Sequence, residues 1–408
     1  MRRSILTDYA NLIVSYGLNI QKGQDVIIRA ATENSDFALL CVELCYKRGA
    51  RKVSVEWLSQ ELNRLNYNYR TIETLVDIPK WEIEKAKESA EKLPALLWLD
   101  SDDPDGLKGI DPAKLGAYLE AKGKKTKKYR DQMDGRYQWC IAAIPSVKWA
   151  KKLFPDLSNK KAIEALWEKI LFSSRVSDNA IESWIEHDED LKRRSNALNS
   201  FNLKALHYTS KEGTDLTVGL IDDALFLGGG EETKDSKVYF QPNIPSEECF
   251  TTPKKGEAEG IVYATMPLSY QGALIENFSI RFHEGKAVEW HAEKNEEVLG
   301  RLLTIDEGAS YIGECALVPN SSPIRESGIL YYNTLFDENA TCHIAFGAGF
   351  DSVIKGFESL SKEEIHNKGV NDSIIHVDFM VGSSSLNIDG ITKEGKTRPI
   401  IKDGEWAF

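Results

Sequence analysis

Residues 25–57 have the sequence DVIIRAATENSDFALLCVELCYKRGARKVSVEW, in which two strand-like segments flank a helical one. The segments 25–29 and 52–57 are rich in β-branched residues, whereas residues 37–47 have apolar side chains at helical spacing. Gly49 separates the helix from the second strand. A strand, a helix and a strand in this order predict a βαβ unit with parallel strands.

The same alternation continues along the first half of the chain. Further strands are predicted at 95–99 and 138–144, each followed by turn residues and then by helical periodicity. From residue 160 to about 198 the apolar residues are spaced three and four apart, which predicts helix throughout. We therefore expect an α/β N-terminal domain with a largely parallel sheet and flanking helices, over residues 1–200.

The pattern changes after Phe201. Residues 215–220 alternate strictly between polar and apolar, and residues 279–292 form two short strands around a Glu-Gly-Lys turn. The second half, residues 201–408, is therefore predicted to be a β-rich α+β domain. This domain also contains the residues best suited to bind a metal.

Composition excludes several classes of protein. A length of 408 residues favours two domains, and a net charge of -12 argues against general binding to nucleic acid. No apolar run approaches the ~20 residues of a membrane helix, and the first residues predict an amphipathic helix, not a signal peptide. Six cysteines without CxxC spacing indicate reduced thiols and a cytoplasmic location.

The common nucleotide-binding motifs and the common hydrolase motifs are missing from the sequence. Residues 227–230 read Leu-Gly-Gly-Gly, but they lack GxGxxG spacing and precede two glutamates, which would repel a pyrophosphate. HExxH, GxSxG and the Walker lysine motif are absent. We therefore expect no nucleotide cofactor.

His376 and Asp378 are separated by one residue within the strand-like segment Ile-Ile-His-Val-Asp-Phe-Met. In an extended strand, side chains two apart project from the same face, so this pair can meet one ion or two neighbouring ions. A hydrogen-bonded pair on an exposed strand face is the alternative interpretation.

Other carboxylates and one further histidine have similar surroundings. Glu247 and Glu248 follow a proline turn, Glu314 precedes an apolar run, and Glu338 and His343 lie five residues apart. A buried carboxylate needs a partner, and a divalent cation is one. Mixed carboxylate and imidazole ligands suit zinc, cobalt or manganese better than calcium or magnesium. Taken alone, Glu314 has a helix cap or a salt bridge as its alternative role, and Glu247 and Glu248 have plain solvation.

Four motifs that contain these residues follow one another along the second half of the chain. They are NIPSEECFT from Asn243, GECALVP from Gly313, NTLFDENATCHIAFG from Asn333 and HVDFMVG from His376. In sequence and in order they resemble those of the thermophilic aminopeptidase family of metallopeptidases, and the PepS branch is the most similar. The likeness extends from the first helix to the closing Gly-Glu-Trp.

The resemblance implies a cytoplasmic homodimer that removes single residues from peptides with a free N-terminus. It implies two divalent metal ions per chain in the C-terminal domain, with Glu314 bridging both. The metal ligands implied are Glu248, Glu314, Glu338, His343, His376 and Asp378. Glu247, next to a ligand, is the candidate general base, and a solvent-facing position is the alternative.

One residue departs from the family pattern. Seven residues after the ligand histidine the family carries a tyrosine, whereas this chain has Phe350. Phenylalanine keeps the ring but loses the hydroxyl that could stabilise an oxyanion. A weakly active or non-catalytic peptide-binding homologue is therefore one alternative function. A two-metal hydrolase of non-peptide amides or esters is another.

Overall fold

The computed structural model describes residues 2–408. Its N-terminal part alternates helices with four strands, as the sequence predicts. The elements are α1 Arg3–Leu12, β1 Asp25–Ala31, α2 Ser35–Lys47, β2 Lys52–Leu58, α3 Gln60–Tyr69, α4 Ile72–Val76, α5 Lys80–Lys92, β3 Ala95–Asp100, α6 Pro112–Met133, β4 Trp139–Ala143, α7 Val147–Leu153, α8 Asn159–Ser173 and α9 Ala180–Ser200.

The rest of the chain is dominated by strands. They are β5 Leu203–Thr209, β6 Asp215–Leu220, β7 Leu227–Gly228, β8 Glu231–Glu232, β9 Tyr239–Phe240, β10 Asn243–Ile244, β11 Cys249–Thr251, β12 Pro253–Tyr263, β13 Leu268–Tyr270, β14 Ala273–His283, β15 Lys286–Lys294, β16 Ile312–Leu317, β17 His343–Gly347, β18 His376–Met380, β19 Asn387–Thr392, β20 Thr397–Lys402 and β21 Glu405–Trp406. The helices among them are α10 Glu296–Leu303, α11 Pro323–Glu326, α12 Thr334–Asp337 and α13 Lys362–Asn367.

The chain forms two compact units. One contains the residues up to Trp184 together with Gly230–Pro245, and the other contains Ile185–Gly229 and Ser246–Phe408. The segment 230–245 thus belongs to the first unit although it lies in the second half of the chain. The division into functional domains at residue 200 stays a prediction.

The first unit is built on a five-stranded sheet in the order β10-β4-β3-β1-β2, with every pair parallel. In β1 the side chains alternate between buried and half-buried, with Val26, Ile28 and Ala30 in the core. The α/β fold predicted for this half is confirmed. The sheet is completed by β10, which has only two residues and no detectable periodicity.

The region predicted to be helical after residue 160 is helical on both sides of one short break. It consists of α8 and α9, separated by residues 174–179. Arg175 in this break has a φ of 53°, a left-handed conformation that interrupts helical hydrogen bonding.

The second unit contains two antiparallel sheets that share one core. The larger has nine strands, and the smaller has five in the order β18-β17-β16-β11-β7. Apolar residues from both sheets, among them Leu206, Phe278, Ile344 and Phe379, form one buried cluster. The predicted hairpin is β14–β15, with Glu284 and Gly285 at positive φ in its turn. The β-rich fold predicted for this half is confirmed.

Among residues 2–408, no helix combines the length and the hydropathy required to cross a lipid bilayer.

Candidate metal centre

The smaller sheet of the second unit positions the predicted ligands by strand register. Glu314 on β16 is aligned with Ala345 on β17, and Ala345 is aligned with Asp378 on β18. His376 is aligned with Gly347 in the same way. Side chains in register share a face of the sheet. The small residues Ala345 and Gly347 therefore leave room for the carboxylates and the imidazole on either side.

The opposite face of the same strands belongs to the core. Ile344 and Phe346 are fully buried, and the Phe346 ring stacks on Phe379 with 4.5 Å between centroids. This alternation follows from the two-residue period of a strand. Apolar packing on one face thus fixes the polar residues on the other.

A β-bulge in β16 sets the direction of the Glu314 side chain. The pairing of β16 with β17 shifts register between Ile312 and Glu314, so Gly313 is the extra residue. A Cβ at Gly313 would lie 2.4 Å from the carbonyl oxygens of Gly347 and Ala348. Only glycine allows this close approach, and such bulges commonly reorient a neighbouring side chain.

Two triads of side chains meet on this face and share one residue. Glu248, Glu314 and His343 offer ligand atoms within 4.8 Å of one another, and so do Glu314, His376 and Asp378. Glu248 Oε2 lies 3.2 Å from His343 Nε2. His376 Nε2 lies 3.1 Å from Glu314 Oε2 and 3.3 Å from Asp378 Oδ1. Glu314 is therefore the residue that the two triads have in common.

Glu338 adjoins both triads without belonging to either. It begins the 3₁₀ turn Glu338–Ala340. Burial, followed by the charges of Asp378 and Glu248, raises the pKa of Glu338 well above its usual range. Its hydrogen bond with Asp378 contributes to lowering the pKa of Asp378. The structure thus brings together all six residues named as ligands.

The pKa values of the candidate ligands reflect their burial and the excess of carboxylates over histidines in the cluster. Burial raises the pKa of Glu314 to about 7, although its hydrogen bond with His376 opposes the shift. Burial alone would lower the pKa of His343, but the hydrogen bond and charge of Glu248 raise it to about 10. The pKa of Asp378 is lowered because the hydrogen bond and charge of His376 outweigh burial. Protons thus compensate partly for negative charge.

A divalent metal fits this set of side chains. Asp378 Oδ1 is buried 3.3 Å from His376 Nε2, so this carboxylate oxygen faces the cluster. His376 Nδ1 lies 2.7 Å from the carbonyl oxygen of Ala348, which can only accept, so Nδ1 carries the proton. Nε2 is thereby directed to the cluster as a potential ligand.

Glu247 lies outside both triads. Its carboxylate is buried, with Oε1 3.8 Å from Nε2 of His187. His187 also places Nε2 2.7 Å from the carbonyl oxygen of Ser246. Glu248 contacts His343 instead, as expected for neighbouring residues in an extended segment. The assignment of Glu247 as general base stays a prediction.

Sequence reasoning missed several residues around the cluster. Asn339 contacts Glu338, and the ring of Phe250 packs against Phe350 at 5.4 Å. Phe350 in turn lies 4.8 Å from the ring of His376, which places it beside the candidate ligands. Phe250 could have been found, since it lies two residues after Glu248. The side-chain contacts of Asn339 have no local signal.

Fold and site together indicate a metalloprotein in which four of the six candidate ligands lie on one antiparallel sheet. The profile of the thermophilic metalloprotease family M29 matches residues 2–406. The chain belongs to this family. The predicted resemblance to metallo-aminopeptidases is confirmed, and the family implies dependence on a divalent metal.

Individual relatives agree with the family over the full length. Aminopeptidase AmpS of Bacillus subtilis is 43% identical over 99% of this chain and 98% of its own length. Aminopeptidase PepS of Streptococcus thermophilus is 37% identical over 99% and 98%. The structure of wild-type AmpT from Thermus thermophilus has a TM-score of 0.91 and 37% identity, covering 100% of both chains.

Proposed function

We propose that this metallopeptidase is a two-metal aminopeptidase that releases single residues from peptides with a free N-terminus. The observation that carries the proposal is the pair of triads sharing Glu314. One shared carboxylate between two sets of ligand atoms is the arrangement expected of a bridged ion pair. Glu248 and His343 would serve one ion, and His376 and Asp378 the other. Glu338 would complete the set.

Charge supports two ions over one. Glu248, Glu314, Glu338 and Asp378 carry four negative charges when ionised, and two divalent cations would neutralise them. Without cations the same carboxylates face the cost of burial, which the raised pKa values of Glu314 and Glu338 express. Zinc, cobalt and manganese are the proposed ions because the ligands are carboxylates and imidazoles.

When bound, a pair of divalent ions polarises the scissile carbonyl and makes hydroxide available at neutral pH. The residues of the chain supply orientation and charge. Ala348 holds His376 in one tautomer, and the shared face of β16, β17 and β18 fixes the remaining donors. The free α-amino group of the substrate would bind at the same metal centre, which favours exopeptidase action.

Glu247 is the proposed general base because it is buried directly beside Glu248. Its neighbour His187 offers a second group able to accept or donate a proton.

Peptides with a free N-terminus are the proposed substrates. A cytoplasmic homodimer is proposed from the family resemblance, and six free buried cysteines agree with a reducing compartment.

A weakly active or non-catalytic peptide-binding protein is the second candidate. Phe350 favours it, since this ring lies against His376 without the hydroxyl of the family tyrosine. The two candidates differ in turnover but not in metal binding or peptide binding.

Metal analysis by mass spectrometry, combined with an arylamide assay, tests the proposal. We expect two equivalents of zinc or cobalt per chain in the wild type and fewer in Glu314→Ala. Glu259→Ala is the matched control, because it removes a carboxylate that pairs with His283 at 3.1 Å on the surface. Retention of two equivalents by Glu314→Ala would disprove the shared ligand.

The substrate class is tested with leucyl-arylamide and its N-acetylated form. We expect cleavage of the first only, because acetylation removes the free amine that would bind at the metal centre. Equal cleavage of both forms, or cleavage of acyl esters alone, would instead support a hydrolase acting on other amides or esters.

A further inference from the structure

Asn339 lies in the 3₁₀ turn Glu338–Ala340 and is completely buried. It is uncharged and is not among the six candidate ligands. A buried amide is costly unless its donors and its acceptor find partners, so its contacts show what it holds.

The side chain of Asn339 makes three hydrogen bonds to two different parts of the chain. Its Oδ1 accepts from the backbone N–H of Glu247 at 2.7 Å. Its Nδ2 donates to the carbonyl oxygen of Leu335 at 3.2 Å and to Glu338 Oε1 at 3.3 Å. A backbone N–H can only donate and a carbonyl can only accept, so these partners fix the orientation of the amide.

These bonds connect the two candidate ligands that no strand ladder holds. Glu314, His343, His376 and Asp378 lie within β16, β17 and β18, where backbone pairing sets their register. Glu248 precedes β11 and Glu338 begins a turn. Asn339 fixes the backbone next to Glu248 and also one carboxylate oxygen of Glu338, which leaves Oε2 of Glu338 for another partner.

We propose that Asn339 is a positioning residue that sets the spacing between Glu248 and Glu338 and thereby the affinity for the metal pair. This inference rests on the proposed two-metal function. Residues that orient ligands through hydrogen bonds typically change metal affinity by about 10- to 100-fold when they are removed. A purely structural role would instead lower stability and leave affinity unchanged.

The test compares Asn339→Ala with Asn371→Ala in the full chain. Asn371 is also buried and donates through Nδ2 to two carbonyl oxygens, those of Gly308 and Gly347, neither of which belongs to a candidate ligand. Zinc affinity is measured by competition with a chromogenic chelator, and the melting temperature of the metal-free protein is measured in parallel. Asn339→Ser, with a smaller loss of volume, replaces the alanine variant if that variant does not fold.

We expect both alanine variants to melt at lower temperature, but only Asn339→Ala to lose about 10- to 100-fold in zinc affinity. Excess zinc should restore its activity towards leucyl-arylamide, which it cannot do for a misfolded site. Wild-type zinc affinity in Asn339→Ala or Asn339→Ser would overturn the inference alone. Absence of zinc binding by the wild type would overturn the proposed function as well.

Discussion

Replacing Phe350 by tyrosine restores a hydroxyl beside the candidate metal centre. The Phe350 ring is 4.8 Å from the His376 ring, and 37% of the residue is exposed. Added polarity at this exposed place needs no new cavity, so we expect the change in stability to be within about 0.5 kcal/mol. We expect the hydroxyl to affect catalysis instead, by donating a hydrogen bond to the oxyanion that forms during the reaction.

The expected gain follows from known oxyanion donors. Removing one such donor costs on the order of 10²–10³ in kcat when the site is closed to water. Because Phe350 is partly exposed, solvent weakens the interaction, and we expect a gain of about 10- to 100-fold, or about 1.4–2.7 kcal/mol. A donor that acts only in the transition state raises kcat and leaves KM nearly unchanged.

The assay uses metal-loaded protein with leucyl-, arginyl- and phenylalanyl-arylamides. Phe250→Tyr is the matched control, because this ring packs against Phe350 at 5.4 Å and gains the same hydroxyl. We expect no increase in kcat from the control. The reasoning fails if Phe350→Tyr leaves kcat unchanged, or if Phe250→Tyr raises it equally. Turnover only in Phe350→Tyr would identify the wild type as a peptide-binding homologue.

Two further predictions concern the metal centre. Removing the metal with a chelator should lower the melting temperature of the second unit, which has about 200 residues, by roughly 5–10 °C, since an ion at about 100 times its Kd contributes about 2.7 kcal/mol. Identical melting with and without chelator would contradict this. Ala345→Leu should reduce bound metal in mass spectrometry, because the larger side chain enters the row between Glu314 and Asp378. Ile344→Met conserves the side-chain volume on the core face and should retain the metal. Equal losses of metal in both variants would refute the proposal that the face with Glu314 and Asp378 binds it.

Local patterns predicted those parts of the structure that depend on neighbours in sequence. The pairing of His376 with Asp378 on one strand face follows from alternation, and the structure places both in one triad. The choice of Glu248 over Glu247 came from the family resemblance, and Glu248 is the one that contacts His343. Glu247 and Glu248 are the same residue type at adjacent positions. Only the local backbone conformation decides which of the two side chains points towards His343.

Features without a signal in the local sequence could not be predicted. Asn339 and Glu247 are 92 residues apart, and an asparagine has no periodic signature. The break between α8 and α9 depends on the left-handed backbone of Arg175, a conformation that its residue type does not favour. A two-residue strand such as β10 is too short for any pattern.

The position of β10 in the sequence, about 100 residues after the strand it pairs with, has a consequence for biosynthesis. Asn243 and Ile244 pair with Ile141 and Ala142 of β4, and Gln241 donates to the carbonyl oxygen of Gly17. A nascent chain that has emerged only as far as α9 therefore exposes the outer edge of β4. The ribosome must add residues 230–245 before that edge is covered, so the N-terminal sheet cannot be finished during synthesis of the first half.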